Sequence, residues 1–424
     1  MTPMARVVEV RFGGKVRRFE VVEDPYPHIV VPTRKEVVHG WFYGYGDRGR
    51  RECSAERILL NPYNGCAVNC PMCYARGFKG YFDLWNREGV VTVFKDFPEK
   101  CARELDGLYV AACAYLSPVT EPFQPLEERY RLSERTAYAF LDRGLPVEFV
   151  TKAGSRVPDR LLDRMAENPH SFAQFTILSA DDEVRRVFSP GGSTVEEQFR
   201  AVRRAADRGL YVVVRMDPIL PGITDDRRSI EEVVDRGVRE GARHFIFSVC
   251  DLADAWLDRT LKAVEAHFPE ALDAWREVYR GRRGGRLEAD IRYRRRVFKV
   301  AREVCDERGV TMALCMEFEE VRMPDGSVWY RGLNEDYMSS RSCEGMDTPI
   351  YYRRTLSERF RPLEGCNGNC LACAKGLQRP VCGIPKLARA EALRLRDYKR
   401  FRVGGSEGDG GGVGLYSWME PTEP

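Results

Sequence analysis

Asn61-Pro-Tyr-Asn-Gly-Cys66-Ala-Val-Asn-Cys70-Pro-Met-Cys73-Tyr-Ala-Arg76 follows the apolar run Ile58-Leu59-Leu60 and sets three cysteines at the spacing C-x-x-x-C-x-x-C. Glycine, proline and asparagine make the stretch a loop. Three thiolates this close together can hold three irons of a [4Fe–4S] cluster, which leaves the fourth iron without a protein ligand. A metal site with an open position is built for chemistry, because a substrate or cofactor has to fill the vacancy. A structural zinc is the competing reading, but zinc ribbons present paired C-x-x-C hooks.

Around this loop, apolar strands alternate with helical patterns from about Ile58 to Met316. Further strands are expected at Leu108–Leu116, Val147–Thr151, Phe172–Leu178, Leu210–Met216, His244–Val249 and Val310–Met316, with amphipathic segments such as Tyr130–Arg143, Val195–Arg208 and Ser229–Glu240 between them. Such alternation means parallel strands joined by right-handed crossovers. The expected fold is therefore α/β, a partial (β/α)6-type TIM-like barrel over residues 55–320. Reactive groups in barrels of this kind stand at the carboxyl ends of the strands. Residues 1–54 read as a small N-terminal β element, with Val7–Phe12 and Val16–Val21 alternating about a Gly13-Gly14 hairpin signal. Residues 321–403 read as a C-terminal cysteine-rich module, and the glycine-rich 404–424 as a flexible tail.

The strand ends supply complementary groups for a zwitterionic cofactor. Glu121 stands in a proline-rich turn after the second strand, where it can accept a charge-assisted hydrogen bond from an ammonium. Lys152 ends the third strand as a cation, Thr176 ends the fourth with a hydroxyl, and Arg215 ends the fifth. Taken singly, each is as readily a loop cap. Cys113, read at the end of the second strand, has a thiol able to donate a hydrogen atom to a radical; the bland alternative is a small buried hydrophobe.

The spacing of Cys66, Cys70 and Cys73 resembles that of the radical S-adenosylmethionine (SAM) enzymes. The resemblance implies that SAM chelates the open iron through its amino and carboxylate groups. Reductive cleavage of SAM then yields a 5′-deoxyadenosyl radical. Four stretches in order, Asn61-Pro-Tyr to Cys73-Tyr-Ala-Arg76, Ser117-Pro-Val-Thr-Glu-Pro-Phe-Gln-Pro-Leu-Glu127, Val150-Thr-Lys152 and Pro218-Ile-Leu-Pro-Gly-Ile-Thr-Asp225, look like the spore photoproduct lyase-related group over about residues 55–250. That likeness implies the same partial barrel, places Lys152 and Thr176 at SAM-contacting positions, and matches Ala111-Ala112-Cys113 to the segment bearing the lyase's hydrogen-donating cysteine. Met72 replaces an aromatic that packs near the adenine in the family; a thioether can still pack on a π-face. An electron donor of ferredoxin or flavodoxin type is implied as partner. The long C-terminal extension lies outside the likeness, so photoproduct repair is not expected.

That extension repeats the spacing at Cys366, Cys370 and Cys373, with Cys343 and Cys382 as spare thiols nearby. A closed four-thiolate set would be structural or electron-transferring. The expectation is an auxiliary [4Fe–4S] cluster with Cys382 or Cys343 as the fourth ligand, and zinc is the alternative because spacing does not choose the metal. From Arg341 to Arg402 there are fourteen Lys/Arg against six Asp/Glu, and Arg292, Arg294, Arg295 and Arg296 fall within five positions. With Tyr351 and Tyr352 interleaved among Arg353, Arg354, Arg359, Arg361, Arg379, Arg389, Arg394 and Arg396, this is the electrostatic footprint expected of a nucleic-acid binder. Solvated arginine-rich helices give the same pattern.

The chain has 424 residues, 43% hydrophobic and 31% charged, with fourteen cysteines. Met1 to Arg18 carries charges without an apolar h-region, and no run of about 18 apolar residues occurs. The expectation is a cytoplasmic protein that contacts no membrane, its cysteines reduced and available for metal. The reading is an enzyme that abstracts hydrogen from a nucleic acid, with RNA modification as its first form. Modification of a peptide or protein side chain is the alternative, with the auxiliary cluster accepting an electron or anchoring substrate. A non-enzymatic iron–sulfur electron carrier is disfavoured, since a carrier needs neither an open iron nor the strand-end groups.

Overall fold

Seven apolar stretches become seven parallel strands that lie side by side in chain order. In the computed structural model they are β1 (Ile58–Leu60), β2 (Ala114–Leu116), β3 (Val147–Thr151), β4 (Phe172–Thr176), β5 (Tyr211–Ile219), β6 (His244–Val249) and β7 (Thr311–Leu314). The structure describes residues 6–12, 15–41, 45–46, 49–50, 58–250, 252–283, 286–370, 373, 380–388 and 392–403. Gly13, Gly14, Arg379, Arg389 and the 404–424 tail lie outside them. β1 and β7 form the two edges, so the sheet is open, as a partial barrel is. Six strand–helix units follow one another as expected, and the strand expected at Val310–Met316 adds to β6 in parallel register as Thr311–Leu314.

The crossovers are α1 (Tyr81–Glu88) and α2 (Phe97–Asp106) before β2, α3 (Leu132–Leu141), α4 (Asp159–Ala166), α5 (Val195–Ala206) and α6 (Arg227–Arg239) between successive strands, then α7 (Asp254–His267) and α8 (Ile291–Glu307) before β7. Thr194 and Glu197 close a capping box at the start of α5, and Asp226 and Asp290 cap α6 and α8. β4 and β6 are buried along their whole length, as strands covered on both faces must be. Their side chains alternate. Ala173, Phe175, Val212, Val214, Phe245 and Phe247 join the large core, while Phe172, Val213 and Ile246 form a separate cluster with Cys113.

The expected strand Leu108–Leu116 is divided. Ala114–Leu116 enters the main sheet, whereas Val110–Ala111 pairs antiparallel with Tyr351–Tyr352 from the C-terminal module. The N-terminal strands Val7–Phe12 and Lys15–Glu20 pair antiparallel and bury Val8 and Val10 against Ile29, Val31, Leu84 and Val90. His28–Val31 then runs parallel to Val91–Phe94, which pairs antiparallel with Tyr63–Asn64 at the start of the cysteine loop. The N-terminal element thus props the loop. Among the described residues no helix is long and apolar enough to cross a membrane.

Candidate active site

The loop from Asn61 to Arg76 leaves the carboxyl end of β1 and is held from several sides. Thr120 Oγ1 donates to the Gly65 carbonyl at 2.6 Å, and Ala67 N donates to Gln124 Oε1 at 3.1 Å. Gly65 has φ +94, and a Cβ there would meet the Trp85 ring at 2.9 Å, so the chain can wrap the indole only as glycine. On the other side Gly191 N donates to Val68 O at 3.0 Å, and a Cβ on Gly191 would lie 2.2 Å from Ala67 O. The Cys70 thiol approaches Ser189 Oγ at 3.8 Å. Burial pushes the Cys66 thiol up, and Cys70, Glu121 and Cys73 add to the rise. Cys73 is pushed up to about 11 by burial and then by Cys70. The charges that raise Cys66 and Cys73 come from thiols close by, and a metal would relieve them.

The donor set fits an iron–sulfur cluster with one open iron. The three cysteines come from one backbone-clamped loop. Three buried side-chain atoms on the surrounding segments, Asn64 Oδ1, Ser117 Oγ and Gln124 Nε2, also have no protein hydrogen-bond partner. A buried polar atom left unpaired costs about 1–3 kcal/mol, so a polar group from outside the chain is the natural resolution. Among the described residues no three His, Cys, Asp or Glu side chains converge on a single ion. Cluster thiolates bind separate irons and stand further apart than the ligands of one ion.

The strand ends converge above this loop. Glu121 is buried; its Oε1 accepts from Thr151 Oγ1 at 2.6 Å and Phe123 N at 3.0 Å, and its Oε2 from Lys152 N at 2.8 Å. Burial raises its carboxyl, and these three donors only partly offset the rise. Glu121 therefore fixes the end of β3 before it does anything else. Among the described residues the Lys152 ammonium enters no ion pair or hydrogen bond, yet its charge acts on Cys73, Glu121 and Asp217 alike. That places a free cation between the loop and the strand ends. Thr176 is buried and stands opposite Arg215 in the β4–β5 register.

Arg215 is engaged within the protein. It donates from Nη2 to Asp217 Oδ2 at 2.6 Å and from Nη1 to Gln174 Oε1 at 2.9 Å, and Gln174 Nε2 in turn donates to Glu148 Oε2 at 2.7 Å. Ser248 Oγ donates to the other Asp217 oxygen. Burial alone would raise the Asp217 carboxyl, but Arg215, Ser248 and Lys152 together hold it below the ordinary carboxylate range. Asp217, Ser248 and Gly191 have no role in the sequence reading, and Gln124 stands there only within the stretch Ser117 to Glu127. Pro190-Gly191-Gly192 was the one signal available, a turn sequence at a crossing.

Other expectations move. Cys113 does not end a strand: it precedes β2, whose first residue pairs with Ile58 and Val147, the first residues of β1 and β3. Its thiol is buried at the amino edge of the sheet near Tyr351, because Val110–Ala111 belongs to another pairing and delays the start of β2. Met72 is buried in the main core. Cys343, Cys366 and Cys370 lie on segments tied together: Asn369 Nδ2 donates to Arg341 O, Thr348 N to Asn367 O at 3.0 Å, and Ile350 N to Cys366 Sγ at 3.5 Å. Cys373 continues that loop, and Cys382 is buried in the main core.

Part of the arginine footprint is spent within the protein. Arg294 pairs with Glu317 at 2.9 Å, Arg295 with Glu319 at 2.8 Å, Arg296 with Asp225 at 3.5 Å and Arg292 with Asp290 at 3.4 Å. Arg353 is buried and donates to the carbonyls of Leu105, Asp106 and Leu108 at the end of α2. Around α8, charge counted along the sequence overstates the free positive surface, because Glu317, Glu319 and Asp225 face it, whereas Arg354, Arg359, Arg361, Arg394 and Arg396 are exposed. What the site exposes instead is aromatic. Tyr74 and Phe78, directly after Cys73, are 43% and 37% exposed, with ring centroids 6.0 Å apart edge to face.

A family model described as the radical SAM superfamily matches residues 60–236. The chain is 27% identical over 387 residues to the "Radical SAM Nalpha-GlyT isomerase" of Pseudomonas phage M6, covering 88% of this chain and 78% of that protein. It is 25% identical over 236 residues to an uncharacterized protein of Mycobacterium tuberculosis, covering 53% of this chain and 67% of the relative. Among solved structures, spore photoproduct lyase complexed with dinucleoside spore photoproduct superposes with a TM-score of 0.47 at 17% identity, over 66% of this chain and 79% of the other.

Proposed function

The chain carries a radical SAM domain over residues 60–236 and is an enzyme, and from that premise we propose that it abstracts hydrogen from a nucleic acid, with RNA modification as the first reading. When bound, the cluster and SAM supply a carbon radical strong enough for that abstraction. Cys66, Cys70 and Cys73 would hold the cluster. Lys152, held through its own backbone N–H on Glu121, would receive the SAM carboxylate. Arg215 and Asp217 present a fixed dipole beside Thr176 at the mouth. Cys366, Cys370 and Cys373, with Cys343 or Cys382, are proposed to hold an auxiliary [4Fe–4S] cluster.

The substrate class rests on one observation, the exposed Tyr74–Phe78 pair next to the third cluster cysteine. Exposed aromatic faces stack bases of any identity at about 1–3 kcal/mol per base, and Lys79 beside them is exposed for a phosphate. The test is anaerobic reconstitution with dithionite and SAM, reading 5′-deoxyadenosine release with RNA, single-stranded DNA or a peptide mixture added. Release should rise with nucleic acid, RNA foremost, and fall about tenfold in a Tyr74→Ala/Phe78→Ala variant at limiting substrate. Release that rises only with peptides overturns the substrate proposal.

A further inference from the structure

Arg76 follows the third cluster cysteine by three residues, and the reading of the site so far gives it nothing to do. It lies in a short turn, Tyr74–Gly77, and is only 3% exposed. The guanidinium folds back over the loop it terminates. Nε donates to the Cys70 carbonyl at 3.3 Å, Nη1 to Asn86 Oδ1 at 3.2 Å and Nη2 to Asn69 Oδ1. Asn86 Nδ2 returns a bond to the Arg76 carbonyl at 2.7 Å, so backbone and side chain are both pinned. The flat face of the guanidinium lies 4.0 Å from the Trp85 ring centroid and 5.5 Å from that of Trp256. Asn69, which receives Nη2, is itself left-handed at φ 60.

Every polar partner of this cation is neutral. Among the described residues Arg76 makes no ion pair, although buried charges in proteins are paired or face a metal centre. Its Nε sits on the carbonyl of Cys70, within the loop that carries all three cluster cysteines. Trp85 and Trp256 exclude water from one side, which keeps the local dielectric low and lengthens the reach of the charge. A cluster on Cys66, Cys70 and Cys73 would supply the missing counter-charge.

We infer that Arg76 is a positioning and tuning residue: its buried charge stabilises the one-electron-reduced cluster more than the oxidised one and so raises the cluster's reduction potential. The balance is simple. One electron passes from an external one-electron reductant to the cluster, no bond forms or breaks in that step, and the site gains one negative charge beside a fixed positive one. Arg259, whose Nη2 reaches the same Asn69 Oδ1 at 3.1 Å, lies exposed at the outer end of this chain of contacts.

The inference rests on the radical SAM reading, and the experiment separates the two. The full chain is reconstituted anaerobically as wild type, Arg76→Gln and Arg76→Lys, iron and sulfide are counted, and the cluster is titrated potentiometrically by electron paramagnetic resonance. Lysine keeps the charge without the planar fork. At the potential where the wild type is half reduced, Arg76→Gln should show a reduced-to-oxidised ratio about tenfold lower, ~59 mV for a one-electron couple, while Arg76→Lys stays near wild type. An Arg76→Gln cluster with the wild-type potential, or an Arg76→Lys cluster shifted as far as the glutamine variant, overturns the inference. If Arg76→Gln takes up no cluster, Arg76→Lys decides: loaded at the wild-type potential it supports the inference, and shifted or unloaded it refutes it. A wild type that takes up no [4Fe–4S] cluster sinks the radical SAM reading itself.

Discussion

Glu127 shows how a single residue of the motif after β2 can serve the site without touching it. Its carboxylate takes the Tyr63 hydroxyl on Oε2, with Ser133 N at 3.1 Å on the same oxygen and Glu134 N at 2.8 Å on Oε1. It thereby ties the cysteine loop, through Tyr63, to the first turn of α3. Burial pushes its carboxyl up to about 7 despite those three donors. The native state therefore holds the proton more tightly than the unfolded chain does. By linkage, the stability this group contributes is full below its ordinary value and is lost as pH rises through about 7. Glu127→Gln cannot ionise and should lack that loss. Urea midpoints at about pH 5 and about pH 8 should show the wild type losing about 1–3 kcal/mol relative to the variant over the interval. A constant difference between the two proteins would refute the assignment. Lys152 illustrates the opposite use of a residue, a cation left free where Glu121, Asp217 and Cys73 all feel it.

The two cysteine loops share a spacing and differ in what surrounds them. The first hangs from a strand end, between the turn that carries Thr120 and Gln124 and the Pro190-Gly191 crossing. The second is tied to the segment bearing Cys343, through Asn369, Thr348 and Ile350. A Cys66/Cys70/Cys73 triple alanine variant should keep about half of the wild-type iron, held by the second set. Adding Cys343→Ala or Cys382→Ala should then lower it further at whichever thiol completes the set. A triple variant that binds zinc and no iron refutes the auxiliary cluster. Much of this was legible beforehand, since strand positions and thiol spacing are local patterns: five of the six further strands expected after Leu60 fall within a few residues of β3 to β7. Cys113 was misplaced because an apolar run does not say which sheet its first half will join. The arginines of α8 illustrate a related limit. Charge along α8 is visible in sequence, but Glu317, Glu319 and Asp225, which neutralise it, arrive only through folding. Arg76 was quoted within the motif, yet its meaning required Trp85 and Asn86 to be seen around it.

At the scale of the whole molecule, the chain closes both ends of the sheet with different material. The cysteine loop and the polar strand ends occupy the carboxyl end. The module after Met316 returns to the amino end: His244 at the start of β6 donates from Nε2 to Cys343 O at 3.0 Å, and the Tyr211 hydroxyl at the start of β5 donates to Gly345 O at 3.0 Å. Burial holds His244 down at about 4, so it stays neutral and keeps the Nε2–H tautomer, with Nδ1 accepting from Thr311 Oγ1. Tyr351 adds a 2.7 Å hydrogen bond to His170, two residues before β4. The segment bearing Cys343 therefore lies at the amino end of the sheet, across from the cysteine loop that leaves the carboxyl end of β1. Arg353 is the rivet of this arrangement. It satisfies the terminal carbonyls of α2, reaches Leu356 O at 2.8 Å within its own segment, and lies 4.4 Å over Phe360. Arg353→Ala would leave several buried carbonyls unpaired at once. It should cost about 2–4 kcal/mol in denaturant unfolding, whereas Arg354→Ala, one residue on and exposed, should cost less than about 0.5 kcal/mol. Equal effects from the two variants would mean that the module does not depend on this anchor. Salt-dependent binding of nucleic acid should be unchanged by Arg353→Ala in the folded protein, because a guanidinium spent on carbonyls has no phosphate left to meet.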